Sequence, residues 1–195
     1  MRSTIQERFW TIPNALSVYR ILIFPFILFL VVSGRESLFA VFITISLLTD
    51  ILDGLIARAF DQKTKIGAKL DSWADLGTYV LAFYAICQFK WTEVREHATV
   101  FFVFLIFMIV SYAAVFVKFG GLIGLHTYMF KLTGYLQGAF IVSLFTWKFH
   151  VVPFYFCLVW GSIACLEEII IIALLRRPAS NVKGLYWMIK KKQFD

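Results

Sequence analysis

Four aspartates stand close together in a part of the sequence that is otherwise very apolar, at positions Asp50, Asp53, Asp71 and Asp75. The first two are three residues apart and the last two are four apart, so each pair lies on one face of a helix. Ionised carboxylates in such surroundings are costly and repel one another. Clustered carboxylate oxygens are the ligands that hard divalent cations prefer. The pattern therefore predicts a site for Mg²⁺, or for Mn²⁺ in its place.

The rest of the chain is typical of a polytopic membrane protein. Its 195 residues are 61% hydrophobic, with a mean hydropathy of +0.80, more apolar surface than one soluble core of this length could bury. We expect a single all-α domain, with a short interfacial helix over residues 1–12 and a basic cytoplasmic tail over 178–195. Six apolar runs long enough to cross a bilayer predict six transmembrane helices over residues 15–32, 38–60, 67–89, 98–117, 128–147 and 151–175.

The basic residues predict how these spans are oriented. Of the 19 Lys and Arg residues, only Arg35, Lys90, Arg95 and Lys148 fall on the side opposite the termini. The positive-inside rule then predicts cytoplasmic termini in a multi-pass protein of the cell (inner) membrane. At 1.5 Å per residue, Asp50 lies about 18 Å and Asp75 about 21 Å from the outer ends of the second and third spans. Two neighbouring antiparallel helices would thus present the four carboxylates together on the cytoplasmic side.

The net charge of +7 raises the question of a polyanionic partner. The basic residues are scattered between apolar runs rather than gathered on one face, which favours anionic lipid headgroups over nucleic acid. The acids themselves admit two other interpretations, a structural ion-pair cluster and a cation-binding membrane transporter. Residues 38–48 and 76–86 are almost wholly apolar, however, so a polar path does not continue toward the outside. This pattern favours a site that is open only to the cytoplasm.

The residues around the acids resemble the signature of the CDP-alcohol phosphatidyltransferase family. That signature, D-x-x-D-G-x-x-A-R-x8-G-x-x-x-D-x-x-x-D, is matched at every fixed position. The matching residues are Asp50, Asp53, Gly54, Ala57, Arg58, Gly67, Asp71 and Asp75. The run PNALSVYRILIFP, residues 13–25, also looks like the first span of the family, including Asn14, Arg20 and Pro25.

The resemblance implies transfer of a phosphatidyl group from a CDP-alcohol, typically CDP-diacylglycerol, to the hydroxyl of a small alcohol, with release of CMP. Asp50, Asp53 and Asp71 would hold a pair of Mg²⁺ ions, and Asp75 would complete the metal site and act as general base. The residues expected to border the CDP donor are Gly54, Ala57, Arg58 and Gly67. Members of the family are commonly homodimers, so a homodimer is expected here.

Other polar residues leave alternatives open. Arg20 could snorkel to the headgroups or contact a phosphate. Lys131 could contact substrate, since it and Gln137 keep the spacing found in the fifth span of phosphatidylglycerophosphate synthases, or it could be an interfacial anchor. His126 fits a solvated loop residue better than a ligand. One of Glu167 and Glu168, deep in the sixth span, could pair with a buried base, and the sequence does not say which of the two does so.

The acceptor alcohol stays open. Phosphatidylglycerophosphate synthases usually have Pro after the third signature Asp and Lys after the fourth, and this chain has Ser72 and Leu76 there. The segment LDSWAD, residues 70–75, looks closer to the corresponding segment of phosphatidylserine synthase-like members. A phosphorylated acceptor would need cationic partners from other helices, and Arg20, Lys69, Lys118 and Lys131 could supply them.

Overall fold

The computed structural model of the protein describes residues 11–60, 62, 64–121, 127–175 and 182–191. These residues form helices and short connections, with no β-strand among them, which confirms the all-α fold. Most of the predicted interfacial helix over residues 1–12 lies outside the described residues. So do His126 and both ends of the predicted tail, so the expectations for these positions stay predictions.

The helices follow the predicted spans closely. Within the described residues they are α1 Ile12–Val32, α2 Glu36–Ala59, α3 Lys65–Phe89, α4 Trp91–Val94, a 3-10 helix Arg95–His97, α5 Ala98–Phe119, α6 Tyr128–Thr146, α7 Val151–Leu174 and α8 Leu185–Lys191. The predicted boundaries differ from these by three residues at most.

Four helical stretches of the described residues are long and apolar enough to cross a membrane. They are Ile12–Val32, Glu36–Ala59, Trp91–Phe119 and Val151–Leu174. The predicted third and fifth spans are the helices α3 and α6, of 25 and 19 residues. They are less apolar because α3 carries Asp71 and Asp75, and α6 carries Lys131 and Gln137. The helices fit an integral membrane protein, and the count of six spans stays a prediction.

The described residues up to Trp91 form one compact unit, in which α1 is the central helix. It packs along both α2 and α3, whereas those two helices make few contacts with each other. The arrangement differs from the predicted pair of directly neighbouring helices, because α1 supplies most of the surface that each of them buries. The start of α2 meets the end of α3, where Glu36 and Lys90 form an ion pair of 2.9 Å.

Hydroxyl side chains fix the starts of α1 and α3. Thr11 Oγ1 accepts a hydrogen bond from the backbone N–H of Asn14 at 3.3 Å, and Thr64 Oγ1 accepts one from that of Gly67 at 2.8 Å. Such caps satisfy amide groups that have no partner within the helix. Thr64 Oγ1 also donates to Asn14 Oδ1 at 3.1 Å. The cap of α3 is therefore tied to the first turns of α1.

The described residues from Thr92 onward form a second compact unit. Helix α7 packs against α5, α6 and the short helix α8. The side chains of Val115, Ile171, Ile172, Leu175 and Met188 form an apolar cluster that joins α5, α7 and α8. Burial of this cluster holds α8 against the end of α7.

The two glutamates of α7 have partners within this second unit. Glu168 is buried and accepts a hydrogen bond from the hydroxyl of Ser111 on α5. Glu167 Oε1 accepts one from the backbone N–H of Leu185, the first residue of α8, at 3.0 Å. Both partners are neutral groups, so the expected pairing of one glutamate with a buried base is not found among the described residues, and the two acids take part in helix packing in this unit.

Candidate active site

The four signature aspartates converge on one arginine. Helix α2 presents Asp50 and Asp53, helix α3 presents Asp71 and Asp75, and the central helix α1 places Arg20 between them. Each pair of acids shares a helix face because three or four residues separate its members. The structure thus brings together the four acids that the sequence predicted to lie close.

Arg20 contacts all four carboxylates through its two terminal nitrogens. Its Nη1 forms a short hydrogen bond with Asp50 Oδ1, and lies 3.4 Å from Asp71 Oδ1 and 3.9 Å from Asp53 Oδ2. Its Nη2 donates to Asp75 Oδ1 at 2.9 Å. The Arg20 side chain is 2% exposed, whereas those of Asp50 and Asp75 are 36% and 35% exposed. The guanidinium is therefore buried behind carboxylates that can still be reached from outside. The alternative in which Arg20 snorkels to the headgroups is wrong, because the acids hold it in the site.

Two hydroxyl side chains that the sequence interpretation missed also contact this group. Ser17 Oγ lies 3.4 Å from Asp53 Oδ2, and Thr78 Oγ1 accepts a hydrogen bond from Arg20 Nη2 at 3.3 Å. Ser17 follows Asn14 by three residues and precedes Arg20 by three, so a polar face of α1 was present in the sequence. Thr78 likewise follows Asp75 by three residues.

The acids fit a divalent cation by chemistry and spacing. Asp50, Asp53 and Asp71 each offer one carboxylate oxygen, and these three atoms lie within 4.8 Å of one another. Oxygen ligands of this kind suit Mg²⁺ or Mn²⁺. Asp75 lies outside this set of three, although it shares Arg20 with the set. The identity and number of the ions stay predictions.

The two signature glycines have different surroundings. A Cβ atom on Gly67 would lie 2.2 Å from Asn14 Oδ1 and 2.7 Å from Thr64 Oγ1, so this glycine allows close packing between α3 and α1. Among the described residues, a Cβ atom on Gly54 would meet only Arg58 Nη2, at 3.7 Å. Gly54 therefore borders open space that a ligand could fill. Gly67 therefore helps to position the start of α3 against α1.

The remaining predicted donor residues lie at two places in the chain. Ala57 is half-buried and Arg58 exposed, both within one turn of Gly54 on α2. Lys131 is the fourth residue of α6 and belongs to the second compact unit. Its contact with substrate stays a prediction.

Comparison with known proteins identifies the family. The family model described as CDP-alcohol phosphatidyltransferase matches residues 10–174 of the chain. The match includes all four aspartates and both glycines of the site. The chain therefore belongs to the CDP-alcohol phosphatidyltransferase family, a family of enzymes.

Curated relatives carry the names of phospholipid synthases. A probable cardiolipin synthase (CMP-forming) of Drosophila melanogaster is 36% identical over 81 residues, which are 40% of this chain and 25% of the relative. A CDP-diacylglycerol–glycerol-3-phosphate 3-phosphatidyltransferase of Aquifex aeolicus is 32% identical over 95 residues, 48% of this chain and 52% of the relative. The human cardiolipin synthase (CMP-forming) is 37% identical over 73 residues, 37% of this chain and 24% of the relative.

These similarities are partial. The aligned part of the chain spans between about a quarter and half of the length of these three curated relatives. No solved structure matches the chain at a significant level. The relatives named above are all lipid-synthesising enzymes, so they lend no support to the alternative of a cation transporter.

Proposed function

We propose that the protein transfers a phosphatidyl group from a CDP-alcohol donor, CDP-diacylglycerol or a close analogue, to the hydroxyl of a small alcohol, with release of CMP. One observation carries this proposal: the four aspartates of the family signature meet around a single buried guanidinium, with the carboxylates of Asp50, Asp71 and Asp75 partly exposed and that of Asp53 buried. The names of the curated relatives, which include a CDP-diacylglycerol-dependent transferase and CMP-forming synthases, support the same reaction.

The proposed roles follow from charge and position. Asp50, Asp53, Asp71 and Asp75 hold divalent cations, Mg²⁺ or Mn²⁺ and two in number. When bound, the cations neutralise charge on the donor's pyrophosphate and on the leaving CMP. Asp75 accepts the proton of the acceptor hydroxyl, the hydroxyl oxygen bonds to the phosphorus next to the lipid, and the bond from that phosphorus to CMP breaks.

The donor site is proposed along α2 and the start of α3. Gly54 and Ala57 leave room beside the acids, and the exposed guanidinium of Arg58 can bind a phosphate through two N–H groups. Gly67 sets the position of α3 against α1. Arg20 and Lys131 are proposed as further phosphate contacts. The lipid chains of the donor can then remain in the bilayer.

The wider setting belongs to the same proposal. The chain forms one domain with six transmembrane helices, has both termini and the active site on the cytoplasmic side of the cell membrane, and assembles as a homodimer. An excess of basic residues on the terminal side of the predicted spans supports the orientation. Membrane lipids are the surroundings and the source of the donor, and no nucleic acid takes part.

The reaction can be tested directly with purified full-length protein in lipid nanodiscs. We would supply CDP-diacylglycerol labelled in the cytidine moiety, Mg²⁺, and glycerol-3-phosphate, phosphatidylglycerol, serine or inositol phosphate as acceptors, and would measure CMP and new lipid. At least one acceptor should release CMP stoichiometrically with product, and EDTA should abolish the release while the circular dichroism spectrum stays helical. Absence of CMP release with all acceptors, or full activity in EDTA, would contradict the proposal.

A further inference from the structure

Arg20 is surrounded by more acid than one guanidinium can neutralise. Four carboxylates lie within 3.9 Å of its two terminal nitrogens. The residue is only 4% exposed, and its Nε atom is buried without a hydrogen-bond partner among the described residues. One positive charge therefore faces up to four negative ones, and the donor capacity of the guanidinium is only partly used.

The Arg20 nitrogen also stands close to where a cation would bind. Nη1 contacts Asp50 Oδ1 and lies 3.4 and 3.9 Å from single oxygens of Asp71 and Asp53. The same three residues form the candidate ligand set. A divalent cation held by these three acids would take a carboxylate oxygen from each of them. It would bring a second positive charge to the carboxylates that Nη1 contacts, so the ion and the guanidinium would repel each other and compete for the same negative charge.

We infer that Arg20 is an internal counter-ion that occupies the carboxylate site in the absence of metal and competes with the divalent cation for it. The inference rests on the proposed function only in taking the four acids as the metal site. In the metal-free protein the guanidinium holds α2 and α3 against α1 by offsetting the repulsion between their acids. Binding of the cation removes the need for this contact and frees the guanidinium from Asp50, Asp53 and Asp71.

Competition of this kind makes a specific prediction about affinity. Removal of the charge at position 20 should strengthen binding of the cation, because it removes both a competitor and a like charge. Loss of an ordinary structural residue would do the opposite, since a disordered ligand set binds metal less well. The direction of the change therefore separates the two roles.

The experiment compares Mn²⁺ binding to the parent protein and to Arg20→Gln, both in nanodiscs, by electron paramagnetic resonance of free Mn²⁺. We expect the dissociation constant of Arg20→Gln to fall about tenfold. In EDTA, its thermal midpoint should lie several degrees below that of the parent, and added Mn²⁺ should remove this difference. Arg35→Gln, which removes an exposed arginine in the connection between α1 and α2, is the matched control and should leave both quantities unchanged.

Arg20→Gln is purified in the presence of Mn²⁺, which offsets the repulsion between its acids. The Mn²⁺ is removed by dialysis before the binding measurement. Arg20→Lys is a second variant, which keeps the charge and should bind Mn²⁺ within about threefold of the parent. Unchanged or weaker Mn²⁺ binding in Arg20→Gln would overturn the inference, as would equal strengthening in Arg20→Lys. These measurements use the metal alone, so they stand whether or not CMP is released in the transferase assay.

Discussion

Acidic side chains within the predicted spans occur in both compact units, and the two units satisfy them differently. In the first, four carboxylates share one arginine. In the second, Glu168 accepts a hydrogen bond from the hydroxyl of Ser111, and Glu167 accepts one from the backbone N–H of Leu185. The acids of the second unit thus have one local neutral partner each. The four aspartates of the first unit share the single positive charge of Arg20, which cannot neutralise all of them.

The difference separates acids that support packing from acids suited to chemistry. A single hydrogen bond to a carboxyl group joins two elements of the fold, although Glu167 Oε2 is buried without a hydrogen-bond partner among the described residues. Four carboxylates in one place are unfavourable unless a cation joins them, so their concentration indicates a site that is completed by a ligand. If this interpretation is correct, substitutions in the two units should affect different measurements.

The largest contrast is expected between Asp75→Asn and Glu168→Gln, which make the same isosteric change in the two units. Loss of the proposed general base in Asp75→Asn should reduce kcat for CMP release by about 10²- to 10⁴-fold, with the helical content retained. Glu168→Gln can still bond to Ser111 and should keep kcat within about twofold of the parent. Rates are measured with CDP-diacylglycerol and the acceptor that the panel identifies. Equal losses in the two variants would show that the acids of the second unit also serve the reaction.

A smaller contrast should separate the two signature glycines. Gly67→Ala places a methyl group 2.2 Å from Asn14 Oδ1, and should lower stability by about 1–3 kcal/mol because the side chains of Asn14 and Thr64 must shift and lose the hydrogen bond between them. Gly54→Ala meets Arg58 Nη2 at an ordinary contact distance and should keep or slightly raise the thermal midpoint, because alanine favours a helix more than glycine does, while it raises the KM for the donor. Thermal unfolding in nanodiscs and initial rates check the pair. A stable Gly67→Ala protein with a raised donor KM would instead place Gly67 at the donor.

The smallest effect is expected at α8. Glu167→Ala removes the acceptor for the Leu185 N–H, which should cost about 1 kcal/mol and speed proteolytic cleavage near α8 about fivefold. Glu167→Gln retains an acceptor oxygen and serves as the control. CMP release should stay near the parent rate in both variants. A large loss of activity in Glu167→Ala would contradict the division of roles between the two units.

The helix positions were largely predictable because apolar runs of bilayer length admit few other interpretations. The convergence of Asp50, Asp53, Asp71 and Asp75 was predictable as well, from spacing and from the family signature. The sequence did not indicate that α1 packs between α2 and α3, since side-chain periodicity does not state which helices are neighbours. That arrangement brings Arg20 to the acids.

Single polar residues were harder to interpret. Ser111 is one of few polar residues in α5, and its partner Glu168 lies 57 positions away, a separation over which sequence patterns carry no contact information. The family signature predicts that Gly67 borders the CDP donor, whereas its short distance to Asn14 Oδ1 shows that it packs closely against α1. The third and fifth predicted spans are helical, but their polar residues make them less apolar than the other four.

The buried Arg20 also bears on how the chain enters the membrane. Helix α1 precedes α2 and α3 in the chain, so its arginine would enter the bilayer ahead of the acids that surround it in the folded protein. An unpaired arginine at mid-membrane costs about 2.5–3.5 kcal/mol on insertion scales. The other residues of α1 are mostly apolar, which offsets that cost. The attraction between Arg20 and the later acids would then draw the first three helices together during translation, so one ion cluster would serve both assembly and catalysis.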